Sequence, residues 1–394
     1  MPYDVVFEGG GAKGMVFVGA LQEMERRGQT VGRLLGTSAG AIIATFAAAG
    51  FSAAEMHDAL QEKDDQGRPV FVRFLGRPRP FTPAEIAASF TRAALERLDL
   101  RFLPPLVEDR FDRFILSLMT QEEMAHVFSF VERGGWYSAD AFLEWARARL
   151  DRAAPDGRAR QMSHLTFAEF HRRTGRHLSL VAADTTDRHM LVLNHHTAPN
   201  LPVVWGMRMS MSLPLIWQEV IWQPEWGNYL TRSLAGHRIV DGGLLSNFPI
   251  ELFLSNDPYV ISLMGPKTGQ SVLGFLIDEN LAVAGEDEPS PRDLPADVLP
   301  VTRLLSLIET ATQAHDKMVI DAFEQFVCRL PAQGYETTEF DMTDERRERL
   351  IAAGQTAADR YFRTRETQGM KGPDVYAMER ALKQADGIAR KILR

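Results

Sequence analysis

The sequence predicts an α/β protein, with a mostly parallel central sheet flanked by helices and with additional helices towards the C-terminus. Strand-like and helix-like segments alternate through the first fifty residues, which is typical of parallel strands joined by crossover helices. Apolar runs predict later strands of the same sheet over residues 178–194, 238–243 and 259–265. Helical patterns dominate after residue 304, apart from a predicted edge strand near residues 326–330.

The first elements place two loops at the same edge of this sheet. Residues 5–7 form a predicted strand, and a glycine-rich loop joins it to a predicted helix over residues 15–27. A second strand at residues 34–35 leads into the tight turn GTSAG and a helix over residues 41–49, which Gly50 closes. Because neighbouring parallel strands end at the same edge, the glycine loop and the tight turn are expected to lie side by side.

Helix boundaries are marked further along the chain. Three pairs of residues have capping-box spacing and predict helix starts: Ser52 with Glu55, Thr82 with Glu85, and Thr166 with Glu169. Two more helical windows are predicted, over residues 344–353 and 376–393.

Composition and charge narrow the classes of function. A net charge of −8 argues against a nucleic-acid partner, because phosphate neutralisation needs a basic face. The single cysteine, Cys328, excludes an internal disulfide and fits a reducing compartment. No signal peptide is visible, and the longest apolar run, residues 39–51, is shorter than the roughly 20 residues that span a bilayer. We therefore expect a cytoplasmic protein.

The glycine-rich loop, EGGGAKG, fits more than one kind of anion site. Gly9, Gly11 and Gly14 satisfy the G-x-G-x-x-G pattern of dinucleotide-binding loops, after a strand and before a helix. A nucleotide-binding oxidoreductase using this loop is therefore one alternative. Such a site also needs an acidic residue at the end of the second strand, where this chain has GTSAG. A Walker A loop does not fit, because Met15 stands where lysine is required.

The turn GTSAG, residues 36–40, matches the G-x-S-x-G pattern of a nucleophile elbow. Gly36 and Gly40 let the strand turn sharply into a helix while the Ser38 hydroxyl stays exposed. The helix that begins here favours negative charge developing beside that hydroxyl. Ser38 is therefore the candidate nucleophile.

The glycine-rich loop is the candidate oxyanion hole for this nucleophile. Gly10 and Gly11 are expected to supply backbone N–H donors, while Gly9 and Gly14 set the turn. On this interpretation the anion is transient and forms only during acyl transfer.

A candidate catalytic carboxylate appears far downstream of Ser38. Asp241 ends a predicted strand, and Gly242 and Gly243 leave space around it. An ordinary α/β-hydrolase fits poorly, because its nucleophile follows several strands and its histidine comes after the acid. His237 is expected to point away from the elbow, so we predict that no histidine acts as the base.

At this point the chain resembles the patatin-like phospholipases. Residues 8–14 look like their oxyanion loop, residues 36–40 like their serine elbow, and residues 241–243 like their D-G-[AG] motif. MSMSLP, residues 209–214, is similar to the small-residue and proline segment between these motifs. The loop departs from the plant members by opening with Glu8 in place of aspartate, and the methionines of MSMS replace smaller residues.

The resemblance implies a patatin-like three-layer fold and a lipid acyl hydrolase of the phospholipase A type. Ser38 would be the nucleophile and Asp241 the base of a Ser-Asp dyad, with neither a metal nor a cofactor. The implied partners are a phospholipid or other lipid ester and, peripherally, a membrane surface. A non-catalytic lipid-binding relative is the second alternative.

The resemblance and the composition together divide the chain into three parts. We predict a patatin-like catalytic domain over residues 1–270, an acidic, proline-rich mobile segment over 271–300, and a mainly helical region over 301–394 that packs on the catalytic domain. A second stretch of mixed charge, glycine and proline, residues 61–80, is also predicted to be mobile.

Several other residues are given structural interpretations. Lys13 is expected to be a solvated loop charge, and His195 and His196 are not expected to form a metal pair, because adjacent side chains diverge at a strand end. The tryptophans of residues 217–226 suit either a lipid interface or packing under a loop. The acyl-binding surface is expected to be interfacial, with the proline-rich segments acting as lids.

Overall fold

The computed structural model describes residues 2–97, 105–268, 271–286, 323–369 and 375–393. The strands are β1 (Pro2–Phe7), β2 (Thr30–Thr37), β3 (Gly135–Tyr137), β4 (Leu178–Asp184), β5 (His189–Leu193), β6 (Leu215–Trp217), β7 (Val220–Ile221), β8 (Asn228–Tyr229), β9 (Arg232–Ser233), β10 (Arg238–Asp241), β11 (Ser271–Asp278) and β12 (Val327–Pro331). The helices up to the middle of the chain are α1 (Val16–Arg26), α2 (Ala39–Ala48), α3 (Ala53–Leu60), α4 (Pro83–Ala87), α5 (Phe90–Arg97), α6 (Pro105–Leu118), α7 (Ala125–Arg133) and α8 (Asp140–Asp151). Those that follow are α9 (Phe167–Thr174), α10 (Val203–Ser210), α11 (Glu251–Leu254), α12 (Pro258–Met264), α13 (Asp344–Gly369) and α14 (Val375–Ile392).

A mostly parallel sheet forms the centre of the fold. Its strands run in the order β12-β11-β1-β2-β4-β10-β7, and β5 also pairs with β4. The pairs from β12 to β4 are parallel, whereas β10 and β5 run antiparallel to β4. Phe7 pairs with Gly36, so the loops that follow β1 and β2 leave the sheet side by side. The predicted α/β fold with a mostly parallel sheet is confirmed.

Helices cover both faces of the sheet and make three layers. Val5 and Phe7 on β1 point into one hydrophobic core, which includes residues of α1, α2 and α13. Val6 points to the opposite face and joins a second core with residues of α11, α12 and α14. This alternation follows from the two-residue period of a strand, and the buried strands are apolar on both faces because helices cover both.

One predicted strand is a helix, and the prediction for residues 259–265 is wrong. The segment forms α12, which begins at Pro258. The Asp257 side chain caps it by accepting hydrogen bonds from the backbone N–H groups of Tyr259 and Val260. Aspartate followed by proline at the first helical position is a helix-start signal, which outweighs the apolar run.

The predicted segment 271–300 also needs correction, because its first residues are a central strand. β11 lies between β1 and β12, with Phe275 beside Phe7 and Cys328. The sheet therefore extends past residue 270, while residues 287–300 lie outside the described residues. β12, by contrast, confirms the predicted edge strand.

The C-terminal helices α13 and α14 confirm the two predicted helical windows, and α13 continues well beyond residue 353. α13 packs along α1, where Arg27 forms ion pairs with Asp359 and Glu366. The helix predicted from residue 304 falls, up to residue 322, outside the described residues. Among the helices that the structure describes, none has the length and apolar character needed to cross a membrane.

Candidate active site

Ser38 lies in a sharp turn between β2 and α2. Its backbone has φ 52° and ψ −121°, in a region that residues other than glycine rarely adopt. The flanking glycines leave no room for side chains: a Cβ on Gly36 would lie 2.3 Å from the Gly40 carbonyl oxygen, and one on Gly40 would lie 2.4 Å from the Phe7 carbonyl oxygen. The strand-turn-helix geometry of a nucleophile elbow therefore depends on both glycines.

The glycine-rich loop lies directly beside this turn. A Cβ on Gly9 would lie 3.0 Å from the Cβ of Ser38, and one on Gly14 would lie 2.6 Å from the Cβ of Ala39. These contacts follow from the parallel pairing of β1 with β2, which places both loops at the same edge of the sheet. The loop and the elbow thus form one site, as their neighbouring strands predict.

Two backbone N–H groups of the loop are available to bind an anion. The backbone N–H groups of Gly10 and Gly11 donate no hydrogen bond within the described part of the chain, whereas that of Ala12 donates to the Thr337 carbonyl oxygen at 2.9 Å. Gly11 has φ +54°, and a Cβ there would lie 2.1 Å from the same Thr337 oxygen. Unpaired, closely spaced amides beside a serine can stabilise an oxyanion.

Asn247, which lies outside the three sequence motifs, fixes the start of the loop. Its carbonyl oxygen accepts a hydrogen bond from the Gly9 N–H at 3.1 Å, and its Nδ2 donates to the Gly9 carbonyl oxygen at 2.9 Å. Nδ2 also lies 3.3 Å from Glu8 Oε1, while Glu8 Oε2 accepts from the Ile277 N–H on β11 at 2.6 Å. Glu8 therefore connects the loop to the neighbouring strand.

Asp241 is the last residue of β10 and is fully buried. Its N–H donates to the Ser212 carbonyl oxygen at 2.9 Å, and its Oδ1 accepts from the Gly243 N–H at 2.7 Å. Oδ2 accepts no hydrogen bond of ordinary geometry from the described residues. Burial raises the pKa of Asp241 to about 7, although the Ser38 side chain and the Gly243 amide each lower it. Asp241 can therefore take up a proton near neutral pH.

The two glycines after Asp241 allow this burial. A Cβ on Gly242 would lie 2.6 Å from the backbone of Val181 on β4, and one on Gly243 would lie 3.1 Å from Asp241 Oδ1. A side chain at either position would displace the carboxylate or the strand beside it.

His237 lies at the other end of the same strand. β10 begins at Arg238 and ends at Asp241, so His237 lies just before its first residue. This end of β10 pairs with Asp184, whereas Asp241 pairs with Ala182. Its Nδ1 is 2.8 Å from Asp184 Oδ2. The structure therefore places His237 away from the elbow, as its position four residues before Asp241 predicts.

An apolar cavity of about 80 Å³ begins at Ser38 and was not predicted from the sequence. Its walls include Ile42, Phe71, Phe74, Trp145, Trp217 and Phe340. Phe71 and Phe74 belong to a 3-10 turn, Val70–Phe74, and both are buried. The stretch 61–80, predicted to be mobile, thus supplies part of the cavity wall.

The structure decides how the three tryptophans and Lys13 are used. Trp217, Trp222 and Trp226 are all buried, so packing rather than lipid contact explains them, and Trp217 lines the cavity. Lys13 is buried and forms an ion pair with Glu279, so the expectation of a solvated charge is wrong.

A sequence profile of the family "Patatin-like phospholipase" matches residues 5–254, which is more than half of the chain and includes Ser38 and Asp241. The chain therefore belongs to the patatin-like phospholipases, a family of lipid hydrolases. This agrees with the resemblance carried by the three motifs.

Three similar proteins illustrate the range of the likeness. Over 370 residues the chain is 26% identical to the uncharacterized protein YqhO of Bacillus subtilis (strain 168), a match that covers 92% of this chain and 99% of YqhO. VipD from Legionella pneumophila is structurally similar with a TM-score of 0.45 and 15% identity, over 92% of this chain and 67% of VipD. A chain of the ExoU-SpcU complex from the type III secretion system of Pseudomonas aeruginosa has a TM-score of 0.38 and 16% identity, over 99% of this chain and 58% of its own.

Proposed function

We propose that the protein is a lipid acyl hydrolase of the phospholipase A type, with a Ser-Asp dyad formed by Ser38 and Asp241. The observation that carries this proposal is the Asp241 carboxylate, which is fully buried, interacts with the Ser38 side chain and has a pKa raised to about 7. A general base works best when its pKa lies near the working pH.

In the proposed reaction Asp241 accepts the hydroxyl proton of Ser38 while Oγ bonds to the carbonyl carbon of the ester. The oxyanion that forms receives hydrogen bonds from the N–H groups of Gly10 and Gly11, which have no other partner among the described residues. Collapse of this intermediate expels the alcohol, which takes the proton from Asp241. Water then releases the fatty acid from Ser38 by the same steps.

The cavity supports an acyl substrate. Its lining is almost wholly apolar and includes Ser38 together with aromatic and aliphatic side chains. An acyl chain would bury its methylene groups there, at about 0.8 kcal/mol for each CH₂ removed from water. Binding of the chain is thus proposed to be inside the protein, in contrast to the purely interfacial surface expected from the sequence.

Neither alternative explains the site as well. For an oxidoreductase, β2 would need to end in an acidic ribose ligand, but it ends in the elbow. For a non-catalytic relative, the backbone strain at Ser38 and the buried Asp241 would have no function that repays their cost.

Peripheral contact with a membrane is the second part of the proposal, because long-chain lipids reside there. Phe90 on α5 is 66% exposed and Val131 on α7 is 49% exposed. The Phe90 N–H is bonded to the Glu132 carboxylate, so these two helices lie together and present apolar side chains to solvent.

A fluorophosphonate probe and a phospholipid hydrolysis assay test this function together. We expect the wild type to release fatty acid and to be labelled on Ser38, and Ser38→Ala to lose labelling and at least ~10³-fold in turnover. Ser246→Ala is a matched control, because Ser246 is also a buried serine but its hydroxyl has no partner among the described residues. Full turnover by a folded Ser38→Ala variant would rule out the proposal.

A further inference from the structure

Four of the ten histidines form a cluster on the fold. His171 lies on α9, His177 directly precedes β4, and His195 and His196 follow the end of β5 after Asn194. The ring centroids of His171 and His195 are 3.8 Å apart, those of His195 and His196 are 3.9 Å apart, and those of His171 and His177 are 4.6 Å apart. Three separate segments of the chain thus bring their imidazoles together.

The ring nitrogens are close enough to share one ion. One ligand nitrogen each from His171, His177 and His195 lie within 4.8 Å of one another. Around a tetrahedral zinc ion with Zn–N bonds of about 2.0–2.1 Å, neighbouring nitrogens are about 3.3 Å apart. Small rotations of these partly exposed side chains would shorten the nitrogen–nitrogen distances to the value that zinc requires.

Hydrogen bonding already selects one tautomer. His171 Nδ1 lies 2.9 Å from the Arg176 carbonyl oxygen, to which it can only donate, so Nε2 carries the free lone pair. A backbone carbonyl that holds the second ring nitrogen is the usual support of a metal-bound histidine.

A second nitrogen in the cluster lacks a partner. His177 Nδ1 is buried and makes no hydrogen bond within the described residues. Buried polar atoms are normally paired, and an unpaired one calls for an explanation. Coordination of a cation would supply the missing partner.

We propose that His171, His177 and His195 bind one Zn²⁺ ion. Imidazole nitrogens favour zinc, copper and nickel over magnesium or calcium, which prefer oxygen ligands. His196 lies beside the three, and its side chain or a water molecule would complete a fourth position.

This ion would be remote from the acyl-transfer chemistry. His177 precedes Leu178, which pairs with Leu34 on β2, whereas Ser38 follows Thr37, which pairs with Val181. The cluster therefore lies at the end where β4 begins, and the nucleophile lies at the opposite end of the strands, where β2 ends. Bound zinc would join α9 to β4 and β5 and so stabilise the fold, since a ligand that binds only the folded state raises its stability.

The interpretation of His195 and His196 from the sequence considered only the adjacent pair. Their neighbours in the cluster, His171 and His177, stand about twenty residues earlier in the chain and reach them only through the β4–β5 pairing.

The test uses protein without a histidine tag, stripped with EDTA and dialysed, and then titrated with ZnCl₂ by calorimetry and by thermal unfolding. We expect one zinc per chain in the wild type and a rise in Tm that EDTA reverses. His171→Ala and His195→Ala should each lose at least ~10-fold in zinc affinity, because even the outer partners of metal ligands are worth 10–100-fold. His164→Ala, which removes an exposed histidine outside the cluster, and Ser38→Ala should bind zinc like the wild type.

Two results would overturn the proposal. One is the absence of saturable one-to-one zinc binding in the wild type, a result that needs no variant and so holds even if the alanine variants fail to fold. The other is undiminished binding by folded His171→Ala and His195→Ala chains. Co²⁺ in place of Zn²⁺ provides a second readout, since bound Co²⁺ should give visible absorption bands that the same two variants lose.

Discussion

The backbone N–H of Ser38 donates a 3.0 Å hydrogen bond to the hydroxyl of Ser210, which in turn donates to the Val181 carbonyl oxygen at 2.6 Å. Two residues further on, the Ser212 carbonyl oxygen accepts from the N–H of Asp241 at 2.9 Å. The C-terminal end of α10 and the two residues after it therefore position both the proposed nucleophile and the proposed base.

Ser210→Ala should reduce both stability and turnover. The change leaves the Ser38 amide and the Val181 carbonyl without their buried partner, at a cost of about 1–3 kcal/mol for each unsatisfied group. The strained turn at Ser38 would also lose a support. Urea unfolding and kcat on a soluble ester measure the two effects.

Ser246→Ala is the matched control for that change. Both serines are buried, but the Ser246 hydroxyl makes no hydrogen bond to a described residue, so its removal should leave kcat nearly unchanged. Equal effects of the two substitutions would show that Ser210 has no special part in positioning Ser38.

Gly11→Ala should lower turnover by roughly 10²-fold, the usual cost of losing an oxyanion donor. The added methyl would meet the Thr337 carbonyl oxygen and strain a backbone with φ +54°, so the loop must shift. Gly28→Ala controls for the strain alone, because Gly28 has φ +64° but open space around it. If Gly11→Ala kept the wild-type kcat, the loop would not bind the oxyanion.

Asp241→Asn should abolish hydrolysis and should gain stability relative to the wild type as pH rises. The pKa of Asp241 is raised from 3.8 to about 7 on folding, so between these values the folded state binds more protons than the unfolded state. Wild-type stability therefore falls as pH rises through this window, by up to about 1.4 kcal/mol per unit of pKa difference.

Asparagine does not titrate, so this loss should be absent in the variant. The stability of Asp241→Asn relative to the wild type should increase between about pH 4 and about pH 8, as measured by urea unfolding. If the difference in unfolding free energy between the two proteins did not change with pH, folding would not raise the pKa of Asp241.

Ala59→Leu should shift the substrate preference towards esters with shorter acyl chains. Ala59 is buried and lines the cavity, so a larger side chain takes up space for about two or three CH₂ groups, each worth about 0.8 kcal/mol. Turnover of a dodecanoyl ester should fall at least ~10-fold relative to that of a butyryl ester. Ala84→Leu, at an exposed position on α4, should leave the ratio unchanged.

The candidate residues of the proposed dyad and of the glycine-rich loop could be located from the sequence because each lies beside glycines at a fixed spacing. The elbow at Ser38, the loop at Gly9–Gly11 and the turn after Asp241 each require glycine at fixed offsets, and these offsets are readable in one short stretch of sequence. The order of the first two strands then places the loop beside the elbow.

The rest of the site depends on contacts between distant segments. Phe71, Trp145 and Phe340 meet only in the folded chain to form the cavity, and β11 was missed because its acidic, proline-rich continuation dominated the composition of residues 271–300. Burial of Asp241, which sets its pKa, is likewise a property of the assembled sheet.

The most direct test of the Ser-Asp dyad is the pH dependence of fluorophosphonate labelling at Ser38, compared among the wild type, His237→Ala and Asp241→Asn. Because the base must be ionised to accept the seryl proton, the labelling rate of the wild type should rise about tenfold per pH unit below an apparent pKa of about 7 and level off above it. His237→Ala should follow the same curve, and folded Asp241→Asn should show almost no labelling at any pH. An Asp241→Asn variant that is labelled with the wild-type pH profile, or a folded His237→Ala variant that is not labelled, would contradict the account.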